Sequence, residues 1–193
     1  MSDIEELGKK SLEMIKKIYA NEHLREGNER GEIKCAGKDW IAIDVKSFPY
    51  TFLKAMEEVA GEDIAADCLF EPGYLYGKEV TEKYKKKGIK AEALFKLSVC
   101  GGTFFGWLVP EFIKITPEEN ICRIYNSFEA RSYLLNNKEK SKKPVCHWLR
   151  GVGAGICTVA FESEFEVKET KCFAKGDKYC EFVVTPKKYQ RYK

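Results

Sequence analysis

Near the C-terminus, Cys172 and Cys180 stand on either side of the turn signal Lys175-Gly176-Asp177, each within a run that alternates apolar and polar residues. Glu164–Ala174 and Tyr179–Thr185 carry the two-residue period of strands, and the Gly-Asp pair between them predicts a hairpin. If the loop is Lys175–Asp177, Ala174 pairs with Lys178 and Cys172 faces Cys180 across the ribbon, near enough to share an ion. Glu169 lies three residues before Cys172, so a regular strand would send it to the opposite face. A bulge between them brings both to one side. Cys146 begins a buried helix expected over Val145–Phe161, where the helix N-terminus favours a thiolate. Cys146, Glu169, Cys172 and Cys180 would together fill a tetrahedral Zn(II) shell. With no open position, such a site is structural rather than catalytic. Lys171, Lys175, Lys178 and Arg150 are near in sequence to offset its excess negative charge. The spacing E-x2-C-x7-C leaves a second reading open, that of buried free thiols.

The chain opens Met1-Ser2-Asp3-Ile4-Glu5-Glu6, without the basic and apolar regions of a signal peptide. The expected location is therefore cytoplasmic, where the eight cysteines stay reduced. Cys35, Cys68, Cys100, Cys122 and Cys157 lie among apolar residues and are expected to be buried. The 33 basic and 30 acidic residues leave a net charge of +3, too balanced for a nucleic-acid surface. No apolar run approaches the roughly 20 residues that span a bilayer. There are two histidines, His23 and His147, neither in a triad-like context, which argues against nucleophilic hydrolase chemistry. Gly151, Gly153 and Gly155 do not complete a dinucleotide loop, because Ile156 stands where the third glycine belongs. Gly151, Ala154 and Gly155 instead make a smooth helix face for close approach of a sheet, a partner copy or a cavity wall.

Periodicity orders the rest. Residues 3–20 predict an amphipathic helix with Ile4, Leu7, Met14, Ile15 and Ile18 on one stripe. A polar stretch from Asn21 to Gly31 follows, then a hairpin of Glu32–Ala36 and Asp39–Val45. A boundary at 47 would separate an N-terminal appendage, residues 1–46, from a domain over 47–193. Helices are expected over 50–60, from Gly73 to Lys87, and from Ala91 to Cys100, where Gly101-Gly102 breaks the last. Phe104–Ile115 and Asn120–Phe128 read as strands flanking the turn Thr116–Glu119. Asn126 and Glu129 resemble a capping pair for a helix starting near Ser127. Residues 136–143 read as a solvated basic loop, and Lys187–Lys193 as a basic tail. The order predicts an α+β fold with an antiparallel sheet packed against helices. Aromatic residues form 13% of the chain. Phe104, Trp107, Phe112, Tyr125, Phe128 and Trp148 are candidates for an apolar ligand pocket.

The segments Asn126-Ser127-Phe128-Glu129-Ala130, Pro144-Val145-Cys146, Leu149–Gly155 and Glu169–Phe182 resemble the 4-vinyl reductase domain family, most densely over 121–184. The resemblance implies a ligand-binding fold shared with a Golgi-tethering subunit and with nitric-oxide-sensor-related domains. It implies kinship to the sensor domains of phenol- and xylene-responsive activators. In those sensors three Cys and one Glu hold zinc, and by motif these map onto Cys146, Glu169, Cys172 and Cys180. The sensors' phenol-contacting His and Trp find no counterpart by motif. The function expected is a zinc-stabilised module for an apolar or aromatic small molecule, acting as a homodimer. A tetrapyrrole vinyl-reductase-related enzyme and an assembly subunit are the alternatives. No hydride-donor cofactor motif supports the enzyme.

Overall fold

The structure, a computed structural model, describes residues 3–16, 30, 32–35 and 38–187. His23, most of the polar stretch before Gly31 and the tail after Lys187 lie outside the described residues. The chain begins with α1 (Asp3–Lys16), β1 (Ile33–Cys35), β2 (Lys38–Trp40), α2 (Tyr50–Ala60), α3 (Glu62–Lys85) and α4 (Ala91–Phe104). It continues with β3 (Val109–Ile115), β4 (Asn120–Tyr125), α5 (Phe128–Asn136), α6 (His147–Phe161), β5 (Phe165–Lys171) and β6 (Cys180–Pro186). Strands β3-β4-β6-β5 form one antiparallel sheet, and β1 pairs with β2 in a separate ribbon. The expected α+β architecture is what the chain adopts.

Alternation along the strands gives the sheet two unlike faces. Cys122, Ile124, Phe165, Val167, Phe182 and Val184 are buried against the helices, while Glu166, Lys168 and Thr170 face solvent. Helix α6 lies against β5 and β6, α4 against β3, and α1 packs on α4 and β3. Ile15 of α1 is fully buried with Tyr84 and Leu94. Trp40 stacks on Phe105 with ring centroids 4.0 Å apart, tying the β1–β2 ribbon to the end of α4. The second strand of that ribbon stops at Trp40 rather than Val45, and Ile41 is left 80% exposed.

The tightest joint is between α3 and α6. A Cβ added to Gly151 would sit 2.0 Å from Phe70 O, and one on Gly155 would sit 2.2 Å from Tyr74 O. From the other helix, Gly73 and Gly77 meet Trp148 O and Val152 O, each at 2.4 Å from the would-be Cβ. Two glycines four residues apart on each helix therefore let the backbones touch. The contacts climb both helices in the same direction. The smooth face expected on α6 thus has α3 as its partner.

Three expected boundaries move. Helix α3 begins at Glu62 rather than Gly73 and runs through Pro72, because proline forfeits one backbone hydrogen bond while the buried face from Ala65 to Tyr84 is continuous. Helix α4 continues through Gly101-Gly102 to Phe104, so Phe104 is helical and not strand. Gly102 is there for space, since a Cβ would lie 3.0 Å from Leu108 Cγ. Helix α6 begins at His147, leaving Pro144 outside its first turn. Tertiary packing outweighs the local breakers in the first two cases.

Gly155→Ala should destabilise the protein by about 3 kcal/mol through overpacking, measured by urea unfolding. Gly153→Ala is the control, because its Cβ would meet nothing closer than Val167 Cγ2 at 3.9 Å. Removing that helical glycine should stabilise by roughly 0.5–1 kcal/mol.

Candidate metal centre and apolar cavity

The β5–β6 ribbon pairs Glu169 with Phe182 and Lys171 with Glu181, with a register shift between Glu169 and Lys171. The expected bulge is present, and it puts Glu169 and Cys172 on the buried side together. The turn differs from the simple hairpin. Ala174 does not pair with Lys178; instead Phe173–Lys175 form a single 3-10 turn. Lys175 N donates to Cys172 O (2.9 Å) and Gly176 N to Phe173 O (3.0 Å), and Gly176 takes the left-handed φ of 99° that its missing Cβ permits. Asp177 clamps the turn by accepting from Cys172 N at 2.8 Å. Phe173 N donates to Cys180 Sγ at 3.3 Å, the kind of bond that stabilises a thiolate.

Cys146 approaches from the start of α6. As the residue preceding the helix it would normally cap it, yet its side chain makes no capping bond. Its sulfur lies 3.6 Å from Cys180 Sγ and 3.2 Å from Ser127 Oγ, and its N–H donates to Glu169 Oε2 at 3.0 Å. The capping is done by a carboxylate from another helix. Glu129, 1% exposed, accepts from Trp148 N (2.8 Å) and Leu149 N (2.9 Å). Local spacing pairs Glu129 with Asn126. In the structure Ser127 caps α5 by accepting from Ala130 N, and Glu129 reaches across to α6. Burial pushes the Glu129 carboxyl up to about 8, against the pull of those two amides.

Ligand atoms of Cys146, Glu169, Cys172 and Cys180 all lie within 4.8 Å of one another. A tetrahedron with Zn–S bonds of ~2.3 Å has edges of ~3.8 Å, close to the Cys146–Cys180 separation. Glu169 Oε1 is buried with no hydrogen-bond partner, which a cation would supply. Burial raises Glu169 to about 9 and holds the Cys146 thiol well above its ordinary value. Hydrogen bonds from Cys146 and Cys180 draw Cys172 down to about 2. The metal-free group therefore shares one negative charge, and binding a dication would expel the remaining protons. These four residues could hold a metal, with no fifth position offered. His147 stands outside the group, its Nδ1 2.7 Å from Arg150 Nη2.

The cations placed near by sequence are largely engaged elsewhere. Lys171 reaches Tyr179 and Glu181, and Arg150 lies over the Phe70 ring. The 138–143 loop is not simply solvated. Ser141 N donates to Ala174 O at 2.9 Å, and Lys140 lies against Gly176, so this basic loop is docked on the turn.

Beside this cluster, α6 roofs an apolar cavity of about 50 Å³. Cys122, Ile124, Phe182 and Val184 form its floor on the sheet, and Leu149, Val152 and Ile156 form its roof. Phe95 and Val99 close one side, and Tyr76, Phe105 and Trp107 another. Of the six residues expected in a pocket, Trp107 lines it. Phe128 and Trp148 stack behind Trp107, with centroids 5.9 and 6.3 Å away. Phe112 meets Phe95 edge-on at 5.8 Å, and Phe104 meets Phe105 at 5.1 Å. Tyr125 belongs to the outer face of the sheet, where its hydroxyl donates to Glu111 at 2.9 Å. The i, i+3, i+7 spacing of Leu149, Val152 and Ile156 carried the signal for the roof; no sequence feature singled out Tyr76.

Glu129→Ala should cost on the order of 3 kcal/mol, because it strands two backbone donors, one fully buried. Glu129→Gln, which keeps one acceptor, should cost less, as chemical denaturation would measure.

The family model of the vinyl-4-reductase domain matches residues 120–186, from β4 through β6. The resemblance expected from the motifs is thus borne out over that span. The fold is similar to that of the phenol-responsive sensory domain of the transcription activator PoxR, solved with phenol, at TM-score 0.78 and 17% identity. That likeness covers 91% of this chain and 90% of the other. A vinyl-4-reductase family protein of Methanocaldococcus jannaschii follows at TM-score 0.52 and 20% identity, covering 77% and 85%. Subunit 3 of a trafficking protein particle complex from Naegleria fowleri, covalently bound to palmitic acid, has TM-score 0.49 and 20% identity over 77% and 93%. No curated protein matches in sequence. Among the described residues no helix is long and apolar enough to cross a membrane.

Proposed function

We propose that the chain is a sensor-type binding module that takes up a small apolar or aromatic molecule between its sheet and α6. Zn(II), held by Cys146, Glu169, Cys172 and Cys180, braces the β5–β6 turn beside it. The observation that carries this reading is the cavity itself, walled by aliphatic and aromatic side chains at the centre of the main core. Such a lining suits a ligand that leaves water for oil. The likeness to the PoxR sensory domain supports it, since that domain was solved with a small aromatic ligand. The cavity is small; one of roughly 150 Å³ accommodates benzene, so uptake would widen the chamber. A widened chamber moves α6, and α6 carries Cys146 at one end and touches α3 along its length. That gives binding a route to the rest of the molecule.

The metal's part is structural. When bound it supplies charge neutralisation and a fourfold tie between β5, β6 and the start of α6. Ser127 Oγ and the Phe173 amide lie against two of the sulfurs, and Asp177 holds the turn closed.

Elemental analysis of the purified protein should find about one zinc per chain. Cys172→Ser should release it and lower the melting temperature sharply, because metal binding here is folding free energy. A variant that keeps both its zinc and its melting temperature would refute the assignment. Toluene at about a hundred times its Kd should stabilise the wild type by ~2.7 kcal/mol through mass action. Val99→Phe, which fills the cavity, should abolish the toluene shift while the protein stays folded. An equal shift in that variant would place toluene elsewhere.

A further inference from the structure

Asn120 is the first residue of β4, and alternation along that strand puts it on the helix-facing side with Cys122 and Ile124. It is 0% exposed, and neither its Nδ2 nor its Oδ1 has a hydrogen-bond partner. Its cross-strand neighbours are Val184 on β6 and Ile115 on β3. Val184 and Cys122, one directly opposite and one two residues along on the same face, both line the cavity. A fully buried primary amide with both ends unpaired thus stands just behind the cavity floor.

That placement needs a reason. Burying an unpaired amide is costly, and an apolar residue of the same size would be neutral or stabilising there. The wall offers little other polar reach. Ser98 Oγ donates to Leu94 O at 2.8 Å and lies 3.1 Å from Thr81 Oγ1, so that hydroxyl is already engaged.

We propose that Asn120 is the polar anchor of the chamber, receiving a neutral head group that donates and accepts a hydrogen bond at once, such as a hydroxyl or a carboxamide. The inference rests on the reading of the cavity as a ligand chamber and specifies which ligands that chamber prefers. One group alone pairs with both ends of the amide: its hydrogen goes to Oδ1 and its lone pair takes a hydrogen from Nδ2. An anion is disfavoured, because it cannot donate to Oδ1 and would have to shed its water in an apolar surrounding. The ligand class is therefore a small ring or chain with one uncharged donor–acceptor substituent, its apolar body between the sheet and α6.

Phenol and toluene match in size and differ in that one substituent, so they separate the anchor from the chamber. In calorimetry the wild type should bind phenol at least about tenfold more tightly than toluene, with benzoate weaker than either. Asn120→Leu should keep toluene binding within about threefold and lose the preference for phenol. An unchanged phenol-to-toluene ratio in Asn120→Leu would overturn the anchor while leaving the chamber intact. If neither compound binds the wild type, both the chamber and the anchor fail. Should Asn120→Leu not fold, the wild-type side-chain amide resonances decide. The Asn120 Nδ2 protons should shift with phenol and stay in place with toluene, and no movement with phenol would overturn the proposal.

Discussion

Contact between the backbones of α3 and α6, made through Gly73, Gly77, Gly151 and Gly155, fixes the direction of every other face of α6. With that side committed, Leu149, Val152 and Ile156 can point only toward the sheet, and the helix start is delivered to the β5–β6 turn. One helix thus serves as the roof of the apolar cavity and as the carrier of a metal-ligating thiol. Close packing makes such a joint stiff, because a contact without side chains has no rotamers to yield. Movement of α6 must be shared with α3.

The strand pairs and the four clustered ligands are legible in the sequence because a hairpin is local, and period-two alternation with a bulge fixes which side chains share a face. Helix ends are less legible. Pro72 and Gly101-Gly102 look like stops when read locally, but each sits in a helix whose buried face continues past it. The pocket is the least legible part. Aromatic density suggests six residues, yet Tyr125 faces outward by strand parity, and most of the others back the wall rather than form it. Tyr76 and Val80 line the cavity because α3 meets α6 through glycine, a tertiary fact no spacing announces.

Between the cluster and the cavity lies a division of labour in polarity. On one side four acidic groups crowd within 4.8 Å and are kept mostly protonated by burial until a cation arrives. On the other, the cavity floor carries aliphatic and aromatic side chains and the Cys122 thiol, which burial pushes up beyond any useful range. Charge is therefore confined to the end of the core where backbone amides and hydroxyls can meet it. The remainder is left free to accept oil-like atoms.

Cys146 precedes α6 without capping it, and Glu129 satisfies the helix's amides from a different element. Coordination chemistry and helix integrity are thereby assigned to separate side chains. An oxidised or demetallated sulfur would detach from its cluster while the first turn of α6 stayed hydrogen-bonded. Damage at the thiols would then loosen the terminal ribbon first, and the helical scaffold would outlast it.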